Sequence, residues 1–398
     1  MSAPLAGVRV VDLTMFVSGP FASMVLADLG ADVIKVEPLT GDPVRHNGMG
    51  AVIDEESAQF QSFNRNKRSL AVDLKTADGL ALIEDLAAAS DVVLDNFRPG
   101  VMQRLGLDHA TLSARNAGLV SCSISAFGNT GPWRERPGFD LIVQALSGAM
   151  SLTGHAASGP AHIPFHIGDT ASGMFAAIGV LAALTERSTT GVGREVEIGL
   201  LDSLIALASD EVTNQAAGLP AKQHGGGHPE LFPYQAFPTM DRPLVIAAVG
   251  VDKFWPALCE VVGRPDLAAE LSYATNDGRV AVKEYLTEQL TAVLRTKKRA
   301  EWLALLQAAD VPATPVNDLD ALFDHPQVEA RSMLVDLARP SGSRVTLTGN
   351  PIKTAGHEQT YVASPTLGQD TAPILSEVLG LDDEAIAGLR ASGAIGPA

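Results

Sequence analysis

The chain has 398 residues, 46% hydrophobic and 19% charged, which is enough for two or three domains with a sizeable core. Its net charge of −17 disfavours nucleic acid and anionic membranes as partners. Two cysteines, Cys122 and Cys259, cannot build a disulfide framework; His162 and His166 are the only close histidine pair, and Pro164 breaks any helix that would place both on a metal, so no metal site is expected.

In chain order, Val8 to Leu13 reads as a strand, Gly19-Pro20-Phe21-Ala22 opens a helix through Met24 to Leu29, and Gly30 ends it before the strand Asp32 to Val36. The rhythm repeats: a strand over Ser69 to Asp73, a helix over Ala77 to Ala88, and a strand over Asp91 to Leu94. Helices over Val101 to Leu105 and Leu112 to Asn116 and a strand over Gly118 to Ile124 follow. Such alternation predicts a Rossmann-like, doubly wound, largely parallel sheet. No Gly-x-Gly-x-x-Gly follows the first strand, so NAD is not the expected ligand. A break rich in Gly, Pro, Lys and His spans Ala216 to Pro229 and holds Gly225-Gly226-Gly227.

Beyond the break a second α/β unit starts, with a strand over Leu244 to Val249, a helix over Asp252 to Val262 and further helices from Val280 to Ala308. Ser341 to Asn350 reads as a hairpin or loop. Helices over Gly368 to Leu379 and Asp383 to Ser392 lack a core of their own and are expected to dock back on the first domain. The predicted layout is a large domain over 1–200, a linker with the glycine loop over 201–229, a smaller α/β domain over 230–330, and a C-terminal segment over 331–398 completing the large domain. Met1 to Val8 has no basic or apolar leader pattern, and the apolar run Met174 to Leu184 is too short for a bilayer, so the expected location is cytoplasmic.

Asp169 carries the sharpest chemical signal. It closes His166-Ile167-Gly168-Asp169 just before that apolar run, so a helix is predicted to start at or just after it. A carboxylate there faces orphan N–H groups and the positive end of the helix, which predicts an ionised side chain able to act as a nucleophile. An N-cap role alone explains the same residue. A basic segment, Arg65, Lys67, Arg68 and Lys75, followed by Arg98, Arg104, Arg134 and Arg136, fits a compact polyanion or a solvated surface cluster.

Several stretches together resemble the family III CoA-transferases, the superfamily of formyl-CoA and carnitine CoA-transferases and 2-methylacyl-CoA racemases. They are Gly19-Pro20-Phe21 with Leu26 to Pro38, Asn64 to Leu70 with Asp73-Leu74-Lys75, Asn96 to Gly100, Ser123 to Pro132, Pro137 to Asp140, Gly168-Asp169, the glycine loop, Pro233 to Phe237, and His325 to Val328 with Ala330-Arg331. The resemblance implies that Asp169 takes CoA as an aspartyl-CoA thioester, with Asp140 as a second carboxylate and Gly226 and Gly227 in a loop shielding the intermediates. It implies CoA contacts at Lys75, Asn96, Phe97, Arg104 and Arg136, with Val17 and Phe139 lining the site. The acyl-CoA is a substrate, and no permanently bound cofactor is expected. His166 and the loop Gly225 to Leu231 are further candidates for the acyl pocket.

An interlocked homodimer is the assembly the resemblance implies, and a small carboxylic acid is the acceptor. Within the superfamily, racemases place a His before the acidic residue of the Gly-x-Asp triplet, where this chain has Phe139, and a Glu where it has Gln235. Neither side chain moves a proton, so transferase chemistry is favoured over epimerisation. A non-catalytic CoA-binding paralogue is the third reading, and the retained Asp169 speaks against it.

Overall fold

Six short strands form one parallel sheet in the computed structural model, which describes residues 3–155, 157–223 and 225–396. They are β1 (Arg9–Asp12), β2 (Asp32–Glu37), β3 (Lys67–Ala71), β4 (Val92–Asp95), β5 (Val120–Ser125) and β6 (Glu195–Gly199). Their order across the sheet is β3-β2-β1-β4-β5-β6, every pairing is parallel, and Val10 sits opposite both Val33 and Val92. Parallel strands need both faces covered, and the apolar stretches of the two central ones, Val10 and Val11 of β1 and Val92, Val93 and Leu94 of β4, are all buried.

Helices α1 (Ser18–Asp28) and α2 (Ala77–Ala88) cover opposite faces. Ala22 and Leu26 of α1 join one core cluster; Leu82, Ile83 and Leu86 of α2 join the other. α2 starts where Thr76 Oγ1 accepts the Gly79 N–H at 3.0 Å. In α1, Pro20 falls in the first turn, where its missing N–H costs nothing. α3 (Val101–Leu105) and α4 (His109–Ser113) follow β4, and α5 (Asp140–Leu146) follows β5.

α6 (Ile167–Thr190) feeds β6 through Gly191, whose φ of +71° provides the left-handed C-cap. At 24 residues it is long and apolar enough to cross a membrane, more than its apolar run suggested. Yet Ala171, Ala176, Ala177, Val180 and Ala183 are buried against the sheet and α1, which makes it a core helix of this fold. After β6, α7 (Leu200–Leu207) and α8 (Ser209–Ala216) occupy residues expected to be linker.

The chain forms two compact units: Met1–Ala149, Ile163–Val212 and Gln327–Ala398 in the first, Met150–His162 and Thr213–Pro326 in the second. Residues 150–162, read from sequence as part of the large domain, therefore cluster with the second unit. The second unit has its own core around Trp255, Leu258, Leu290 and Trp302, beneath an antiparallel sheet of β7 (Tyr234–Phe237), β8 (Leu244–Ala247) and β9 (Ala313–Pro315). The tail returns to the first unit. Its ribbon, β10 (Leu334–Ala338) and β11 (Arg344–Thr348), precedes two helices whose Ile374, Leu375 and Ile386 enter the α2 core.

Candidate active site

In this strand order the chain reverses direction between β1 and β4, and the crevice beyond their carboxyl ends is where open α/β sheets hold ligands. One side chain ties the two lips together. Asn96 Oδ1 accepts the Met15 N–H at 2.9 Å and its Nδ2 donates to the Met15 carbonyl at 2.6 Å. The Asn96 amide, expected on CoA, is thus engaged in bracing the β1–α1 loop. Val17 is buried at the start of α1, and half-buried Phe97 packs on the α2 core. Segments beyond the carboxyl ends of the strands also carry Lys75 after β3, Arg104 in α3 after β4, and Arg136 and Phe139 in the loop after β5; all four are exposed. Arg136 lies over the Trp133 ring at 4.2 Å.

Two other bases of the expected polyanion site are otherwise occupied. Arg65 is buried and paired through two nitrogens with Asp28, and Lys67 is buried and bonded to Asp12, Asn64 and the Pro20 carbonyl. Burial, reinforced by nearby Lys35, holds the Lys67 ammonium down at about 8 despite the pull of Asp12. These cations serve the fold.

Asp169 lies in the first turn of α6, two residues inside the helix start, and His166 rather than Asp169 takes the N-cap position. The cap oxygen comes from another helix. Asp140, the first residue of α5, accepts the Gly168 N–H at 2.6 Å and the Asp169 N–H at 3.3 Å on Oδ1. Its Oδ2 accepts from Gln144 Nε2 at 2.6 Å, and buried Gln144 in turn holds both polar groups of the Ile163 backbone. Gly168 leaves room for this: a Cβ there would stand 2.9 Å from both Asp140 Oδ1 and Val143 Cγ2. The two carboxylates predicted from sequence therefore meet, in different roles.

Among the described residues nothing donates a hydrogen bond to the Asp169 side chain, which is half-buried. Its pKa is pushed up to about 7, first by burial and then by the charge of Asp140. The ionised state expected from the helix terminus is corrected accordingly, because Asp140 already occupies that positive end.

Sequence reasoning missed a second acid and a brace. Asp95, at the end of β4, lines a cleft of about 480 Å³ with Arg98, His109, Ser121 and Glu197, and burial raises its pKa to about 7. Its place at the end of an apolar strand was the available signal. Lys35 and Asp42 are fully buried and paired at 3.0 Å; Lys35 Nζ also donates to the Thr14 carbonyl, and Asp42 Oδ1 accepts the Val44 and Phe16 N–H groups.

The glycine loop belongs to the second unit. Gly225 donates to the Gly154 carbonyl and has φ +58°, Gly226 accepts from Ala236, and Gly227 bridges Gln235. Gln235, which stands where the racemases have Glu, donates to Thr287.

The family model described as CoA-transferase family III matches residues 5–371. A succinyl-CoA:glutarate CoA-transferase of Mus musculus is 36% identical over 395 residues, covering 98% of this chain and 90% of that one. A succinyl-CoA:mesaconate CoA-transferase of Haloarcula hispanica is 37% identical over 383 residues, covering 94% and 96%. Among solved structures, a CaiB/BaiF family protein from Brucella suis superposes with a TM-score of 0.86 at 35% identity, covering 95% of this chain and all (100%) of that one.

Proposed function

Since the chain belongs to CoA-transferase family III and is an acyl-CoA:carboxylate CoA-transferase, we propose that it moves CoA through a thioester on Asp169, from succinyl-CoA to a small dicarboxylic acid. The Asp169 carboxylate attacks the acyl carbon, the C–S bond breaks, and CoA leaves as the thiolate. The thiolate then attacks the Asp169 carbonyl of the mixed anhydride and releases the donor acid. The acceptor carboxylate runs the two steps in reverse.

One observation carries this reading: Asp140 satisfies the N-terminus of α6, so the Asp169 carboxylate accepts no bond from the described residues and remains free to react. Its raised pKa makes the ionised fraction a more basic nucleophile than an ordinary carboxylate. Lys75, Arg104 and Arg136 would meet the phosphates of CoA, with Val17, Phe97 and Phe139 along the nucleotide and acyl arms. Gly226 and Gly227 would exclude water from the activated carbonyl. We read the assembly as an interlocked homodimer acting in the cytoplasm. Exposed Leu141, Ile142 and Leu146 on α5 and Met174 and Ile178 on α6 support a partner surface.

Intact-mass spectrometry after incubation with succinyl-CoA tests the chemistry. A CoA-sized adduct that hydroxylamine cleaves, present in the wild type and absent from Asp169→Ala, is the expected result. An adduct retained in Asp169→Ala moves the nucleophile elsewhere.

A further inference from the structure

Phe16 has φ +68°, a left-handed conformation that a bulky side chain adopts only under strain. The neighbouring loop is held on three consecutive residues. Asp12 and Lys35 bind Thr14, Asn96 binds both polar groups of Met15, and Asp42 accepts the Phe16 N–H at 3.4 Å. Despite this bracing Phe16 is 45% exposed, so burial does little to offset the strain.

Its level in the fold follows from helix geometry. α1 leaves the carboxyl end of β1, and α6 runs down to the start of β6, so both helices have their N-termini at the carboxyl edge of the sheet. They touch where Gly173 faces Ser18: a Cβ on Gly173 would stand 2.6 Å from the Ser18 carbonyl oxygen. Asp169 lies four residues before Gly173 on the same helix face, about 6 Å further up the axis. With the two helices parallel and touching there, this geometry brings the residues just before Ser18, namely Phe16 and Val17, to the level of Asp169. Val17 is buried, so Phe16 alone of the two presents a large exposed side chain.

We infer that Phe16 is a specificity-determining residue, a fixed aromatic wall beside the Asp169 carbonyl that admits slender, unbranched acyl chains and excludes α-branched or aryl-bearing acids. The inference rests on the reading of Asp169 as the acyl and CoA carrier. Lys35, Asp42 and Asn96 are positioning residues for the wall.

The test uses succinyl-CoA with glutarate and with 2-phenylglutarate as competing acceptors, for wild type, Phe16→Gly, Phe16→Asn and Phe16→Tyr. Glycine and asparagine both tolerate positive φ, so neither variant adds strain. The expected result is a rise of about tenfold or more in kcat/KM for 2-phenylglutarate relative to glutarate in Phe16→Gly and Phe16→Asn, the scale on which apolar pockets discriminate. Phe16→Tyr should keep the wild-type ratio. An unchanged ratio in both small variants overturns the inference while leaving the transferase reading intact. Equal loss of turnover with both acids also overturns it, because a selecting wall does not govern the slender substrate. Wild type without any exchange from succinyl-CoA would remove the functional reading itself, and the inference with it.

Discussion

Asp140→Asn separates the two causes that raise the Asp169 pKa. Burial acts first and remains in the variant; the neighbouring charge acts second and is removed. Two like charges at the outer end of the roughly 4–6 Å range over which neighbours shift a pKa repel, at an effective dielectric near 20, by about 3 kcal/mol, or roughly two pH units. Water reaching the half-buried Asp169 reduces this to about one unit, so the midpoint of Asp169 should fall from about 7 to about 6. The asparagine oxygen still caps Gly168, but its amide then faces Gln144 Nε2, a donor against a donor, at a cost of about 1–2 kcal/mol in stability. The assay is the rate of aspartyl-CoA formation from succinyl-CoA, quenched and weighed by mass spectrometry from pH 5 to 9. Wild type should gain rate through pH 7 and the variant through pH 6. A midpoint that stays put, or moves upward, refutes the coupling between the two carboxylates.

Asp169→Asn should stabilise the fold at neutral pH. An acid whose pKa rises on folding is deprotonated first in the unfolded chain, so stability falls between about pH 4 and 7 and is level above that range. Removing the acid should flatten this slope and recover about 2 kcal/mol at pH 8, discounted for solvent access; an unchanged pH profile of Tm contradicts the raised pKa. Gly173→Ala drives a methyl into the Ser18 carbonyl and should cost about 2–3 kcal/mol by urea unfolding, because backbone oxygen cannot rotate away. Lys75→Ala with Arg104→Ala should raise KM for acyl-CoA about tenfold, lessening as salt rises, with kcat nearly kept; a kcat loss at unchanged KM removes them from the phosphates.

Hydrophobic patterning announced the sheet because parallel strands and their helices each bury a face whose period is visible locally. Val92-Val93-Leu94 and Leu82-Ile83-Leu86 are legible in this way. Asp169 and Asp140 were legible as residues through their motifs. Less visible was the fate of the bases: Arg65 and Lys67 look like surface charges in the sequence, and only folding brings Asp28 and Asp12 against them.

The sequence by itself determined the α/β class, most strands and helices of the large sheet, and the presence of Asp140 and Asp169, since these depend on residue type and short-range spacing. Tertiary structure decided their electrical state and geometry. The Asp169 carboxyl is pushed up to about 7 first by burial and then by Asp140, which comes from a separate helix, 29 residues away in the chain, to take its helix terminus. Phe16 stands in a left-handed turn because Lys35, Asp42 and Asn96 converge on one loop from three parts of the fold. Coulomb and hydrogen-bond energies act over a few ångströms of space, and no local pattern in the chain records which residues will share them.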